Sequence, residues 1–251
     1  YLYQRVRTYM HYTLGVIMDP IAVIKPHKDT SLAMMLEAQR RGATVLYFEL
    51  KDIFINNGKP MGLARTITVR DQVTDFYTLG EEHTVSLGDI DVLLMRKDPP
   101  FDSEFLYATH ILSLAQDEGA LVVNNPQALR DYNEKLFTSL FPEHIPNTLV
   151  TNNQKLIRDF HAKHQDIICK PLDGMGGASI FRVKPDGNNL GVIIETLTNL
   201  GKRYMMVQEY LPQIKDGDKR ILIVDGEVIP YCLARLPTKG ETRGNLAAGG
   251  T

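Results

Sequence analysis

The sequence has 251 residues, 43% hydrophobic and 23% charged, with 28 basic against 30 acidic residues and a formal net charge of -2. A chain of this length and balance can bury one large core or two to three small ones. Its near-neutral charge excludes the electrostatic footprint of a nucleic-acid or membrane-surface binder.

No apolar run reaches the roughly 18 residues a membrane-spanning helix needs. Residues 1–9 lack an apolar h-region, so they read as an upstream extension and not as a signal peptide. The two cysteines, Cys169 and Cys232, each lie in an apolar, strand-like run with no metal-ligand spacing. They are expected to be buried thiols in a reducing, cytoplasmic compartment.

Thr13 to Met18 is a short apolar run ended by Asp19-Pro20, the pattern of a buried strand. Ser31 to Arg41 has helical spacing with Gly42 as its stop, and Ala43 to Phe48 is a second apolar strand. This β-α-β opening predicts a parallel sheet covered by helices. Residues 52–79 break the rhythm. Asn57-Gly58 marks a hairpin turn there, and 64–70 alternates. Ile90 to Met95 returns as a core strand. Asp102 to Glu118 is a helix with Phe105, Ala108, Ile111, Leu112 and Ala115 on one face, and Ala120 to Asn124 is another strand. Residues 10–125 are therefore expected to form an open parallel α/β domain.

From Pro126 the texture becomes mixed α+β, and residues 126–205 read as a second module. Its strands are placed at 148–150, 167–170, 179–183 and 204–209, and its helices near 153–163 and 191–200. A third module, 206–251, opens with a hairpin turning at Asp225-Gly226 and runs into a glycine-rich loop over 236–251. A hairpin without further strands is an incomplete sheet, so this last module is expected to be unfinished.

The segment richest in chemistry is Lys170-Pro-Leu-Asp-Gly-Met-Gly-Gly-Ala-Ser179. It joins strand to strand, which excludes a dinucleotide-binding fingerprint, and it lacks the Gly-Lys-Ser/Thr ending of a P-loop. Gly174, Gly176 and Gly177 have no Cβ, so their N–H groups can fold closely over phosphate oxygens. Lys170, at the strand end, adds a positive charge. The alternative is a plain hairpin turn, which the lysine makes the weaker reading. Lys135, in Asn133-Glu-Lys-Leu-Phe137, reads by itself as a solvated helix lysine. Gln208-Glu209-Tyr210-Leu211 reads equally as an ordinary strand end or as a junction offering backbone groups to an adenine edge, with Glu209 near ribose hydroxyls.

Together with Lys215-Asp-Gly-Asp-Lys-Arg220, these motifs resemble the ATP-grasp carboxylate–amine ligases. Three more segments narrow the resemblance to bacterial glutathione synthetases: Gly15-Val-Ile-Met-Asp-Pro20, Met95-Arg-Lys-Asp-Pro-Pro-Phe-Asp102 and Glu241-Thr-Arg-Gly-Asn-Leu-Ala-Ala-Gly-Gly250. The likeness runs in register from about residue 13 to residue 250.

It implies an ATP-grasp fold after the N-terminal domain, and the ligation of γ-glutamylcysteine to glycine through an acyl phosphate. It implies ATP with Mg²⁺ (Mn²⁺ as a substitute) and a homo-oligomer, the tetramer being the family's form. By matching position, Lys135, Lys170 and the loop Gly174, Gly176 and Gly177 contact ATP phosphates. Gln208, Glu209, Tyr210 and Leu211 line the adenosine, with Asp218 near the nucleotide. Arg220, Arg235 and Arg243 surround the reacting anions. Arg96 holds the dipeptide, because a guanidinium fork donates two parallel hydrogen bonds to a carboxylate. Arg243, Gly244 and Asn245 belong to a glycine-rich lid that shuts water out. From the residues alone, Arg96 and Arg235 read as surface ion-pair partners.

The family's acidic metal ligands have no counterpart up to Thr251, so no metal ligand is expected in this chain, and weak ATP binding follows as an expectation. Two other readings stay open on sequence: a related ATP-grasp ligase joining a different acid and amine, and a non-catalytic nucleotide-binding module.

Overall fold

The computed structural model describes residues 11–98, 100–224 and 226–238. The chain divides into two compact units, 1–132 and 133–251.

The first unit opens with β1 (Thr13–Ile17), α1 (Thr30–Arg40) and β2 (Thr44–Phe48). β1 and β2 pair in parallel, as the two apolar runs require once a helix crosses between them. Asp29 starts α1 by accepting the Leu32 N–H on its side chain at 2.8 Å. The helix buries Leu32, Met35 and Ala38, one stripe at 3- and 4-residue spacing.

β3 (Ile53–Asn56), β4 (Lys59–Val69) and β5 (Tyr77–Ser86) then form an antiparallel extension. The turn between β3 and β4 has Asn57 and Gly58 both at positive φ, the geometry that selected those residues. β5 extends the expected hairpin by ten residues that sequence reading did not place as a strand. β6 (Val92–Met95) returns beside β1, and α2 (Ser103–Glu118) leads to β7 (Leu121–Val123). α3 (Pro126–Asp131) closes the unit.

The sheet order is β3-β4-β2-β1-β6-β7, with β5 on the other side of β4. The parallel α/β arrangement is thus present in β2-β1-β6-β7, with an antiparallel wing added. Helix α2 packs on one side through Phe105, Ala108, Leu112 and Ala115, in a cluster that includes Phe48 and Leu93. Helix α1 covers the other with Met35 against a cluster containing Val16, Val45 and Tyr47.

The second unit carries β8 (Thr148–Thr151), α4 (Gln154–His164), β9 (Ile167–Pro171), β10 (Phe181–Val183), α5 (Leu190–Thr198) and β11 (Met205–Glu209). Its strands form one antiparallel sheet in the order β10-β9-β11-β8. Ile157 of α4 and Ile194 of α5 are fully buried against Ile167, Cys169, Met205 and Val207. Each such isoleucine contributes about 1.5–3 kcal/mol.

A separate two-stranded sheet pairs β12 (Asp218–Val224) with β13 (Glu227–Arg235). Cys169 is buried, as expected, but Cys232 is exposed. Among the described residues no layer covers this ribbon, and Ile221, Leu233 and Tyr231 on it are more than half exposed.

Candidate functional site: a lysine pair at a glycine loop, and a cleft at the strand ends

Alternation along a strand decides which groups the second sheet presents. Cys169 and Val207 point into the core under the two helices. Lys170 therefore faces the other way. Its register partner is Met206, and Ile168 is opposite Gln208. Lys170 and Gln208 share the face away from the helices.

After Pro171 the chain crosses to β10 through the glycine loop. Gly174, Gly176 and Gly177 have φ of 99°, 68° and 81°, and Ser179 joins them at 56°. A Cβ at Gly174 would meet nothing within 4 Å, so backbone conformation and not crowding demands glycine there.

Lys135 reaches this loop. Its Nζ donates to the carbonyls of Leu172 and Gly174, each at 3.0 Å. Asn133 sets up that approach by accepting the N–H groups of Lys135 and Leu136 on Oδ1, both at 3.0 Å. Lys135 is thus a brace for the loop, and Glu134 sits 3.6 Å from its ammonium. The Lys170 ammonium has no hydrogen-bond or ion-pair partner among the described residues. Burial pushes its pKa below the usual lysine value, and the positive charge of Lys135 pushes it further the same way. Two repelling ammonium groups beside a loop of positive-φ residues form a site that an anion would relieve.

The residues after β11 are held by a network that sequence reading missed. Arg182 makes two parallel hydrogen bonds to Asp166, at 2.9 and 2.6 Å. Its guanidinium lies 3.5 Å over the Tyr210 ring. The Asp166 carbonyl accepts the Tyr210 N–H at 2.9 Å. Gln208 donates to Thr148 Oγ1 at 2.9 Å, and Glu209 Oε2 accepts from Asn147 at 2.8 Å. Leu211 is half exposed. No short motif signals the Asp166–Arg182 pair, because Asp166 precedes β9 while Arg182 lies within β10, sixteen residues along the chain.

On the hairpin, Asp218 and Arg235 are register partners and form a bidentate pair at 2.8 and 2.5 Å. The hydrogen bonds from Arg235 to Asp218 raise the arginine's pKa above its ordinary value. Arg220 is exposed on β12. Arg243, Gly244 and Asn245 lie outside the described residues.

The first unit carries its own cleft, about 440 Å³, lined by Met18, Asp19, Lys25, Lys28, Ser31, Arg96 and Asp98 among others. Topology explains its position. From β1 the chain crosses to β2 on one side, and from β6 it crosses to β7 on the other. β1 and β6 are therefore the switch point, and their carboxyl ends open a crevice there. Arg96 follows β6 directly, and its N–H donates to Ile17 O at 2.7 Å. It forms no ion pair among the described residues, unlike Arg235. Lys97 does, with Asp19 at 2.8 Å.

Among the described residues no three or more His, Cys, Asp and Glu side chains converge as a metal site. No helix of the described residues is long and apolar enough to cross a membrane.

Comparison with known proteins agrees with this layout. The family model "Prokaryotic glutathione synthetase, N-terminal domain" matches residues 12–130. "Prokaryotic glutathione synthetase, ATP-grasp domain" matches residues 134–251. A glutathione synthetase of Salmonella typhi is 60% identical over 237 residues, covering 94% of this chain and 75% of that protein. The Escherichia coli K12 glutathione synthetase is 59% identical over the same shares. Among solved structures, D-cycloserine synthetase DcsG aligns with a TM-score of 0.58 at 14% identity, covering 90% of this chain and 72% of that one. The ATP-grasp ligase PsnB aligns at 0.55 and 18%, covering 92% and 74%. At such identities these two report the fold alone.

Proposed function

The chain belongs to the prokaryotic glutathione synthetase family, and from that premise we infer that it joins γ-glutamylcysteine to glycine at the expense of ATP. It is an ATP-grasp ligase that forms a peptide bond. The observation that carries the reading into the structure is the partnerless Lys170 beside Lys135 at the glycine loop.

In this reading the cysteinyl carboxylate attacks the γ-phosphorus of ATP and ADP leaves. The glycine amine then attacks the acyl phosphate carbon, loses a proton, and inorganic phosphate departs. None of these steps needs a side-chain nucleophile, so the protein's contribution is placement and charge neutralisation. Lys170 takes the phosphates as a point charge, and the N–H groups of Gly174, Gly176 and Gly177 fold over them. Lys135 fixes the loop and adds its charge. Gln208 to Leu211 carry the adenosine, with Glu209 near the ribose and Asp218 near the nucleotide. Arg220, Arg235 and Arg243 neutralise the transferred phosphoryl group, Gly244 and Asn245 belong to the lid, and Arg96 binds the dipeptide. Supporting the Arg96 role is its place in the strand-end crevice, where it forms no ion pair among the described residues.

Mg²⁺, or Mn²⁺ in its place, would accompany ATP. The charge compensation described above is the share that the chain's own cations supply. A cytoplasmic homo-oligomer, with a tetramer as its form, completes the proposal.

The test is ADP release from ATP with γ-glutamylcysteine, with and without glycine. Glycine-dependent release at a 1:1 ratio to glutathione is the expected result. Release that requires a different acid or amine would assign the site to another ATP-grasp ligation, and nucleotide binding without turnover would assign it to a binding module.

A further inference from the structure

Arg96 is exposed, and an exposed arginine carries several freely rotating bonds, so a free guanidinium would sample many orientations before it met a carboxylate. Two contacts prevent that. The backbone N–H is fixed to Ile17 O at the end of β1. The Nε–H donates to Ser31 Oγ at 3.1 Å. Ser31 is itself rigid: it is 5% exposed, in the first turn of α1, and that turn is fixed by the Asp29 cap. Both side chains line the same cleft. The bond to Nε occupies the one guanidinium donor that points sideways and leaves the two terminal nitrogens without a partner among the described residues. A carboxylate met end-on bonds those two nitrogens, whereas the side-on contact seen at Arg182–Asp166 needs Nε; with Nε held by Ser31, Arg96 is left with the end-on fork.

We propose that Ser31 is a positioning residue for carboxylate recognition, holding the Arg96 fork in the orientation that binds the dipeptide; this rests on the reading of Arg96 given above. The hydroxyl touches no substrate. It reduces the ordering that Arg96 must undergo on binding, so its loss raises the dipeptide KM and spares the chemistry.

A double-mutant cycle on the full chain separates the possibilities. Ser31→Ala is expected to raise the KM for γ-glutamylcysteine about 3- to 10-fold, the range of one ordinary net hydrogen bond, with kcat and the KM for ATP unchanged. In the Arg96→Ala background the same substitution is expected to change nothing further. Ser31→Cys keeps the side chain's size, replaces the hydroxyl with a weak hydrogen-bonding thiol, and stands in for Ser31→Ala if that variant melts below the assay temperature. A dipeptide KM that stays at the wild-type value in Ser31→Ala, while Arg96→Ala raises it, overturns the positioning role and leaves Arg96 standing. An equal rise in both backgrounds overturns it too, because the serine would then act on packing alone. No rise in Arg96→Ala overturns the Arg96 assignment and the inference with it.

Discussion

Arg182 lies over the ring of Tyr210, its guanidinium carbon 3.5 Å from the ring centroid, while Asp166 grips the same guanidinium from the side. Asp166 also accepts the Tyr210 N–H through its carbonyl. One aspartate thus fixes both the cation and the backbone of the segment assigned to the adenosine. The pair is only partly screened, at 25% and 30% side-chain exposure, so it is a support and not a surface ornament.

Replacing Arg182 with alanine removes the stack and leaves Asp166 unpaired. The expected outcome is a weaker grip on ATP, about 3- to 10-fold in Kd, from the lost cation–π and ion-pair support. Titration calorimetry with ADP or ATP checks it. Unaltered nucleotide affinity would separate this network from the binding site.

Four places show how far the sequence could go. The β1, β2 and β6 strands were legible because burial on both faces writes a continuous apolar run. β5 was not, because Glu81, Glu82 and His83 sit exposed along its middle, and a strand solvated there has no periodicity to read. The glycine loop was legible through φ > 0 chemistry, yet its brace was not. Lys135 reaches Leu172 and Gly174 across 37 and 39 residues, and no local pattern encodes such a contact. Cys232 departs from expectation because an apolar strand pattern does not show whether a layer covers it, and none does among the described residues.

The two thiols should differ sharply in reactivity. Burial pushes Cys169 up to about 12, so it stays protonated and shielded at neutral pH, whereas Cys232 is open to reagent. A thiol reagent at pH 8 is expected to modify Cys232 alone in the native protein and both cysteines after denaturation. Mass spectrometry of the labelled peptides reads the result directly.

Gly15 marks a point where the first sheet has no room. A Cβ there would come within 2.6 Å of Leu93 Cδ2 and 3.2 Å of Phe48 Cε2, and both of those side chains are fully buried. Gly15→Ala is expected to destabilise the fold by about 1–3 kcal/mol, the usual cost of overpacking. Denaturant unfolding checks it, and a stability equal to wild type would mean that the core can shift to admit a methyl group.

Lys170 gives the sharpest test of the anion site. Lys170→Ala removes a charge with no competing partner among the described residues, and nucleotide affinity is expected to fall at least about tenfold, the scale of one charge-assisted contact. Burial and the Lys135 charge lower its pKa in the free protein. Between that lowered value and the ordinary lysine value, the unfolded chain binds more protons than the folded one, so this group makes stability rise with pH through that window. A bound triphosphate supplies the missing negative charge and should restore the proton. ATP binding at alkaline pH is therefore expected to take up protons in the wild-type protein, and less in Lys170→Ala. Calorimetry in buffers of different ionisation enthalpy measures that uptake. Equal uptake by both proteins would move the phosphate contact away from Lys170 and onto Lys135.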